Sequence, residues 1–225
     1  MIERVSTGIE GLDRALSGGI PKNTLTTISG PIGIGKTCMA WQFMRQGLYS
    51  DEKVLLLTAK DSPERSLQIA SELGYDFGWA LDQARLFIVD WRGFLPEGSF
   101  VVDLVQAFFT RILTLVNEND IKRLVFDPFM PMSAGGASTP LSFFRAIQDQ
   151  LSERCPALTT LILMMEPLPE TTMGSFPFDS WLSLGWKESL PRTRVMRIQK
   201  MPYTTVPPYD LTFDIISGEG IVILP

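Results

Sequence analysis

The chain is expected to fold as an α/β protein, with a mainly parallel central sheet flanked by helices and antiparallel strands at its C-terminal end. Three observations predict this. Apolar β-rich runs alternate with runs of helical period from residue 25 to residue 166, and strands separated by helices of that length pair in parallel with both faces covered. A glycine-rich loop, Gly30-Pro31-Ile32-Gly33-Ile34-Gly35-Lys36-Thr37, joins the first β-rich run to the helical run after it. Beyond Trp181 the helical period stops, and strand-like runs and turns remain. With 225 residues and 45% hydrophobic content the chain can bury one sizeable core, so residues 1–225 are expected to form one domain.

Residues 6–21 read as a helix opened by the Ser6-Thr7 cap and closed by Gly18-Gly19, followed by a turn at Pro21-Lys22-Asn23. A strand over 25–29 leads into the glycine-rich loop, and an amphipathic helix over 36–48 leads out of it. A strand over 54–58 precedes a helix starting at Pro63, where proline suits the first turn. Strand 86–90, helix 100–117, strand 124–127, helix 141–154 and strand 160–166 continue the alternation. The last strands are 194–200, 209–215 and 221–224, with a Gly218-Glu219-Gly220 turn between the final two. No repeat, charge block or linker interrupts the pattern.

Composition removes several function classes. The absence of histidine excludes Ser-His-Asp triads, histidine general bases and histidine metal ligands. Cys38 and Cys155 lie far apart and outside any C-x-x-C pair, which fits neither a structural zinc nor a secreted disulfide framework. No basic stretch followed by an apolar core opens the chain, and apolar runs such as 160–165 are too short to span a bilayer. A soluble, cytoplasmic protein without membrane insertion is expected. A net charge of −5, from 20 basic and 25 acidic residues, supplies no general field for a nucleic acid.

The spacing G-x-x-x-x-G-K-T is specific because each part has a physical task. Glycines let backbone N–H groups approach phosphates, and the following helix points its positive end at them. Lys36 would reach the β and γ phosphates and Thr37 would ligate Mg²⁺. Gly30, Pro31, Ile32, Gly33, Ile34, Gly35, Lys36, Thr37 and Cys38 are therefore the candidate nucleotide-binding residues, with a nucleoside triphosphate and Mg²⁺ as cofactors. The second metal candidate is Asp127, which ends the apolar run Leu124-Val125-Phe126. Its alternative is a strand-end Asp capping the turn before Pro128.

Ser6-Thr-Gly-Ile-Glu-Gly-Leu-Asp13, Gly18-Gly-Ile-Pro21 and the loop that follows resemble the opening of KaiC-like members of the RecA superfamily. The likeness runs on through Thr58-Ala-Lys-Asp-Ser-Pro63, Asp127 and Gly218-Glu-Gly-Ile-Val-Ile, covering one KaiC-type domain. The resemblance implies a RecA-like P-loop NTPase fold and ATP as ligand. Asn23 stands where the family usually has a turn glycine, and Asn best tolerates the left-handed conformation among other residues.

Larger departures concern hydrolysis. Members that cleave ATP carry two adjacent glutamates after the second strand, and this chain has Lys60-Asp61 there. A lysine cannot activate water as a carboxylate does, which leaves Asp61, one methylene shorter than Glu, as the candidate. Active ring-forming relatives also contribute a Lys and an Arg, one residue apart, to the neighbouring subunit's γ-phosphate. Lys200-Met201-Pro202 keeps the Lys and loses the Arg, a group worth powers of ten in rate. Lys200 has the alternative reading of a solvated strand-end charge, and Glu166, at a position acidic in relatives, that of an ordinary strand-end carboxylate.

The candidate catalytic set is thus Asp61, Glu166 and Lys200. Loops 128–140 and 167–179, which face the channel in RecA-type rings, contain no Lys or Arg, which argues against a grip on DNA. The apolar stretch Pro128-Phe-Met-Pro-Met132 is a candidate protein contact, with packing on the chain's own core as the alternative.

Three functions are weighed on these residues. The favoured one is an ATP-binding regulatory switch or scaffold with weak or slow hydrolysis, assembled as a hexamer-like ring and read by protein partners not identifiable from sequence. The second is an active ring-forming ATPase with autokinase ability, and the third, least favoured, a DNA-dependent recombinase. Clock members of the family carry two such domains and a C-terminal extension, so clock function is not inferred.

Overall fold

The computed structural model describes residues 2–91, 101–129, 145, 148–151, 153–165, 177–188 and 190–225, the side chains of 101–106, 128, 129 and 165 excepted. Short strands β1 (Arg4–Val5) and β2 (Ile20–Pro21) pair antiparallel on either side of helix α1 (Glu10–Ala15). The helix expected over 6–21 is therefore much shorter, and Ser6 and Thr7 do not cap it in the expected way. They instead donate to the Asp13 carboxylate, Ser6 Oγ at 2.5 Å, Thr7 Oγ1 at 2.6 Å and the Thr7 amide at 2.8 Å. These bonds hold the segment before α1 as a loop closed from inside the helix. Asn23 adopts φ 62°, the left-handed turn conformation expected of it.

The rest of the described chain follows the predicted alternation: β3 (Leu25–Gly30), α2 (Lys36–Tyr49), β4 (Lys53–Thr58), α3 (Pro63–Glu72), α4 (Gly78–Asp82), β5 (Leu86–Asp90), α5 (Val101–Asn119), β6 (Ile121–Phe129), β7 (Thr159–Met165), β8 (Ser180–Lys187), β9 (Thr193–Lys200), β10 (Leu211–Ile216) and β11 (Gly220–Ile223). Residues 148–151 contribute helical backbone before β7. Helix α3 begins where proline predicts, with the Arg65 amide donating to Ser62 Oγ at 3.2 Å as N-cap. Helix α4 escapes sequence reading because five residues are too few to show a period. Strand β8 falls in a stretch whose sequence shows only that helical period has stopped, although Ser180, Leu182 and Leu184 alternate inward along it.

Nine strands form one sheet in the order β11-β10-β9-β8-β3-β7-β6-β4-β5. The pairs from β8 to β5 are parallel, and β8–β9, β9–β10 and β10–β11 are antiparallel. This is the predicted α/β fold. The central strands β4 and β7 carry near-continuous apolar runs because both faces are covered. Val54, Leu56 and Val125 pack with α1 and α2, whereas Leu55, Leu57, Leu124 and Phe126 pack with α5.

Arg123, 1% exposed, is a charged residue buried in this interior. Its Nε donates to Glu52 Oε2 at 2.5 Å, and its Nη1 to the carbonyls of Ser6 at 2.8 Å and Phe43 at 2.9 Å. Its guanidinium also lies 4.4 Å from the Phe43 ring centroid. One buried cation thereby ties β6 to α2 and to the segment before α1.

Candidate functional site

Strand β3 lies between β7 and β8, yet the chain leaves it through α2 to reach β4, beyond both β7 and β6 in the sheet. Connections diverge at its carboxyl end, and a crevice at such a divergence is where open α/β sheets hold ligands. The loop of residues 30–35 occupies this place.

The local geometry of the loop follows from its glycines. Gly33 has φ 78°, a left-handed conformation, and a Cβ there would meet no atom within 4 Å. The space beside its backbone is open, which is the room a phosphate needs for close approach. Ile34, fully buried, anchors the loop from below, while Ile32 stands 82% exposed. Helix α2 starts with Gly35 as N-cap, no side-chain cap and no acidic residue in its first turn. Its first N–H groups and its dipole therefore have no anionic side chain of their own. Lys36 is buried, and its Nζ donates to the carbonyls of Gly30 at 2.5 Å and Pro31 at 2.9 Å.

Asp127 comes to the same place from β6. Burial pushes its carboxyl above the ordinary carboxylate range, opposed by a hydrogen bond with the Thr37 side chain and by the charges of Lys60 and Lys36; Asp61 adds a further push upward. The two metal candidates, Thr37 and Asp127, are thus in contact. Asp61 follows β4, where Thr58 is the register partner of Asp127 and the Ala59 amide donates to the Asp127 carbonyl at 3.2 Å. Cys38 is half-buried on the first turn of α2, and burial raises its thiol pKa against the charge of Arg194.

Lys200 is placed apart from this cluster. Strand β9 runs antiparallel to β8, so its last residue lies opposite Trp181, which pairs with Thr27 near the start of β3. Its Nζ donates to the Phe178 carbonyl at 2.5 Å. Glu166 and most of loops 128–140 and 167–179 lie outside the described residues. Strand β7 is described to Met165, the partner of Gly30.

Sequence reading missed the wall that the C-terminal strands build beside α2. A Cβ on Gly35 would lie 2.8 Å from Ile215 Cδ1, and Phe213 is next nearest. Arg192 and Arg194 each place their guanidinium carbon 4.9 Å from the Trp186 ring centroid, and Arg194 Nη1 pairs with Asp214 Oδ1 at 2.6 Å. The strand-like runs 194–200 and 209–215 are legible in the sequence, but their approach to α2 is not.

These residues fit a nucleoside triphosphate with Mg²⁺. Backbone N–H groups and an ammonium suit phosphate oxygens, and a hydroxyl beside a carboxylate suits a hard cation. Among the described residues no group of three His, Cys, Asp or Glu could hold a metal ion by itself. Mg²⁺ needs only one or two protein oxygens and completes its shell with water and substrate phosphates. Among the described residues no helix is long and apolar enough to cross a membrane.

Comparison with known proteins gives concordant results. A family model described as "ATPase: KaiC" matches residues 5–225. The chain is 29% identical over 234 residues to the circadian clock oscillator protein KaiC of Picosynechococcus sp., a match covering 100% of this chain and 45% of that protein. It is 34% identical over 129 residues to KaiC 1 of Synechocystis sp., covering 56% of this chain and 25% of the relative. It thus spans less than half the length of these relatives. Among solved structures, a KaiC-like protein from the archaeon Pyrococcus horikoshii OT3 superposes with a TM-score of 0.80 at 23% identity, with 100% of both chains covered. At that identity the likeness speaks for the fold.

Proposed function

The chain belongs to the KaiC family of ATPases, and from that membership we propose that it binds MgATP at residues 30–38 and serves as a nucleotide-dependent switch or scaffold with slow hydrolysis. The observation that carries this reading is an assembled phosphate site, Lys36, Thr37 and Asp127, beside a position filled by Lys60. Lys36 and the α2 N–H groups bind and orient the phosphates. Thr37 and Asp127 hold Mg²⁺, which neutralises charge on the phosphate oxygens. Lys60 offers no carboxylate to activate water, so the residue closest to the role of base is Asp61.

The placement of Lys200 supports a ring. It lies at the end of the sheet away from its own phosphate loop, so any contact of its ammonium with a γ-phosphate must be across an interface, at a neighbour's site. The arginine that would accompany it is Pro202. Protein partners read the nucleotide state of the ring. Nucleic acid is not among the proposed partners, since the chain carries a net charge of −5 and no basic residue in the loops that would grip DNA.

A second reading, an active ring-forming ATPase with autokinase ability, is favoured by one observation. The Asp61 charge lies close enough to Asp127 to raise its pKa, so a carboxylate is present at the phosphate site. Equilibrium binding of ATP with Mg²⁺, compared between the wild type and Lys36→Ala, tests the nucleotide assignment. One ATP per chain is expected for the wild type, and affinity reduced by about tenfold or more for the variant. Equal binding by both proteins would reject the assignment.

A further inference from the structure

Lys60 sits where two strand ends meet. Strands β4 and β6 are in register at Thr58 and Asp127, and the Ala59 amide holds the Asp127 carbonyl at 3.2 Å. The Lys60 amide in turn donates to Thr58 Oγ1 at 3.3 Å, which fixes the turn that carries it. Its side chain is exposed, so the long stem is free to move its charge while the backbone stays put. Four charges act together at this point: Lys36 and Lys60 against Asp127 and Asp61. Two ammonium groups balance two carboxylates, and the local sum is zero. A carboxylate in place of Lys60 would leave one ammonium against three carboxylates, a sum of −2, and a polyanion would then depend on a divalent cation to enter.

We infer that Lys60 is a built-in counter-cation of the phosphate site, whose ammonium meets the terminal phosphate of a nucleoside triphosphate and so favours ATP over ADP and lowers the need for Mg²⁺. The inference rests on the nucleotide reading above and assigns the determinant of that site's selectivity. The terminal phosphate of ATP carries charge that ADP lacks, and a mobile ammonium at the edge of the loop is suited to meet it. A contact of this kind is a charge-assisted hydrogen bond, among the stronger polar contacts available.

The test is equilibrium binding of ATP and of ADP, each with Mg²⁺ and with EDTA, at a fixed salt concentration of about 0.15 M, since exposed charges are screened. The proteins are the wild type, Lys60→Met, Lys60→Glu and Lys36→Ala, with folding checked by circular dichroism. The wild type is expected to keep measurable ATP affinity in EDTA. Lys60→Met should weaken ATP in EDTA by about tenfold or more while changing ADP much less, and Lys60→Glu should weaken ATP further. Equal effects of Lys60→Met on ATP and ADP, no effect on either, or no ATP binding by the wild type in EDTA would overturn the inference. Lys36→Ala separates the two levels: full nucleotide affinity in that variant would remove the phosphate loop as the site, whatever Lys60 does.

Discussion

Burial holds the Asp127 carboxyl above the ordinary carboxylate range, against the pull of Thr37, Lys60 and Lys36. A carboxylate whose pKa is higher in the folded than in the unfolded protein penalises folding at neutral pH. The penalty fades as pH falls through the raised pKa toward the ordinary carboxylate range, because the folded state takes up the proton first. Asp127→Asn is therefore expected to raise Tm without nucleotide at neutral pH, by about 2–4 °C for each kcal/mol relieved. The gain should shrink as pH falls through that window, while Mg²⁺-dependent ATP affinity drops. Thermal scans at a series of pH values check the first part, and a lower Tm at neutral pH would contradict it. The meeting of the 30–37 loop with Asp127 was legible in the sequence as an expectation, because the loop has a spacing suited to phosphate and Asp127 ends an apolar run. The placement of Lys60 near Asp127 was not, since it depends on the register of two strands more than sixty residues apart.

At the scale of elements, the tie between β6 and α2 rests on Arg123. Its partners Glu52, Ser6 and Phe43 come from three separate segments. Replacing one member of a buried ion pair strands the other charge and the carbonyls that shared it. Arg123→Met, close in volume, should destabilise the protein by about 3 kcal/mol or more, as read from urea unfolding, and a loss under about 1 kcal/mol would mean the pair is dispensable. The long helices and the β-rich runs were legible because their period or apolar length is unambiguous. Helix α1 was over-read because Ser6 and Thr7 look like caps, whereas their hydroxyls serve Asp13. Strand β8 was missed because Ser and Gly dilute its alternation, and its identity is decided by pairing with β3.

In the whole molecule, the sheet carries the phosphate loop at one end and Lys200 at the other, so a complete site along the proposed lines needs two chains. Multi-angle light scattering is expected to give a hexameric mass with MgATP and a smaller one for Lys36→Ala. A monomer under both conditions would contradict the ring. The overall order of strands and helices was legible from alternation alone, whereas this separation of Lys200 from the loop required the antiparallel β8–β9 turn. The most direct measurement of the central claim is a time course of ATP remaining bound and ADP released over hours on purified protein with Mg²⁺, with Lys36→Ala as background. Stoichiometric bound ATP with ADP release close to that background is the predicted result. Sustained release well above it, abolished by Asp61→Asn, would contradict the switch and establish a working ATPase.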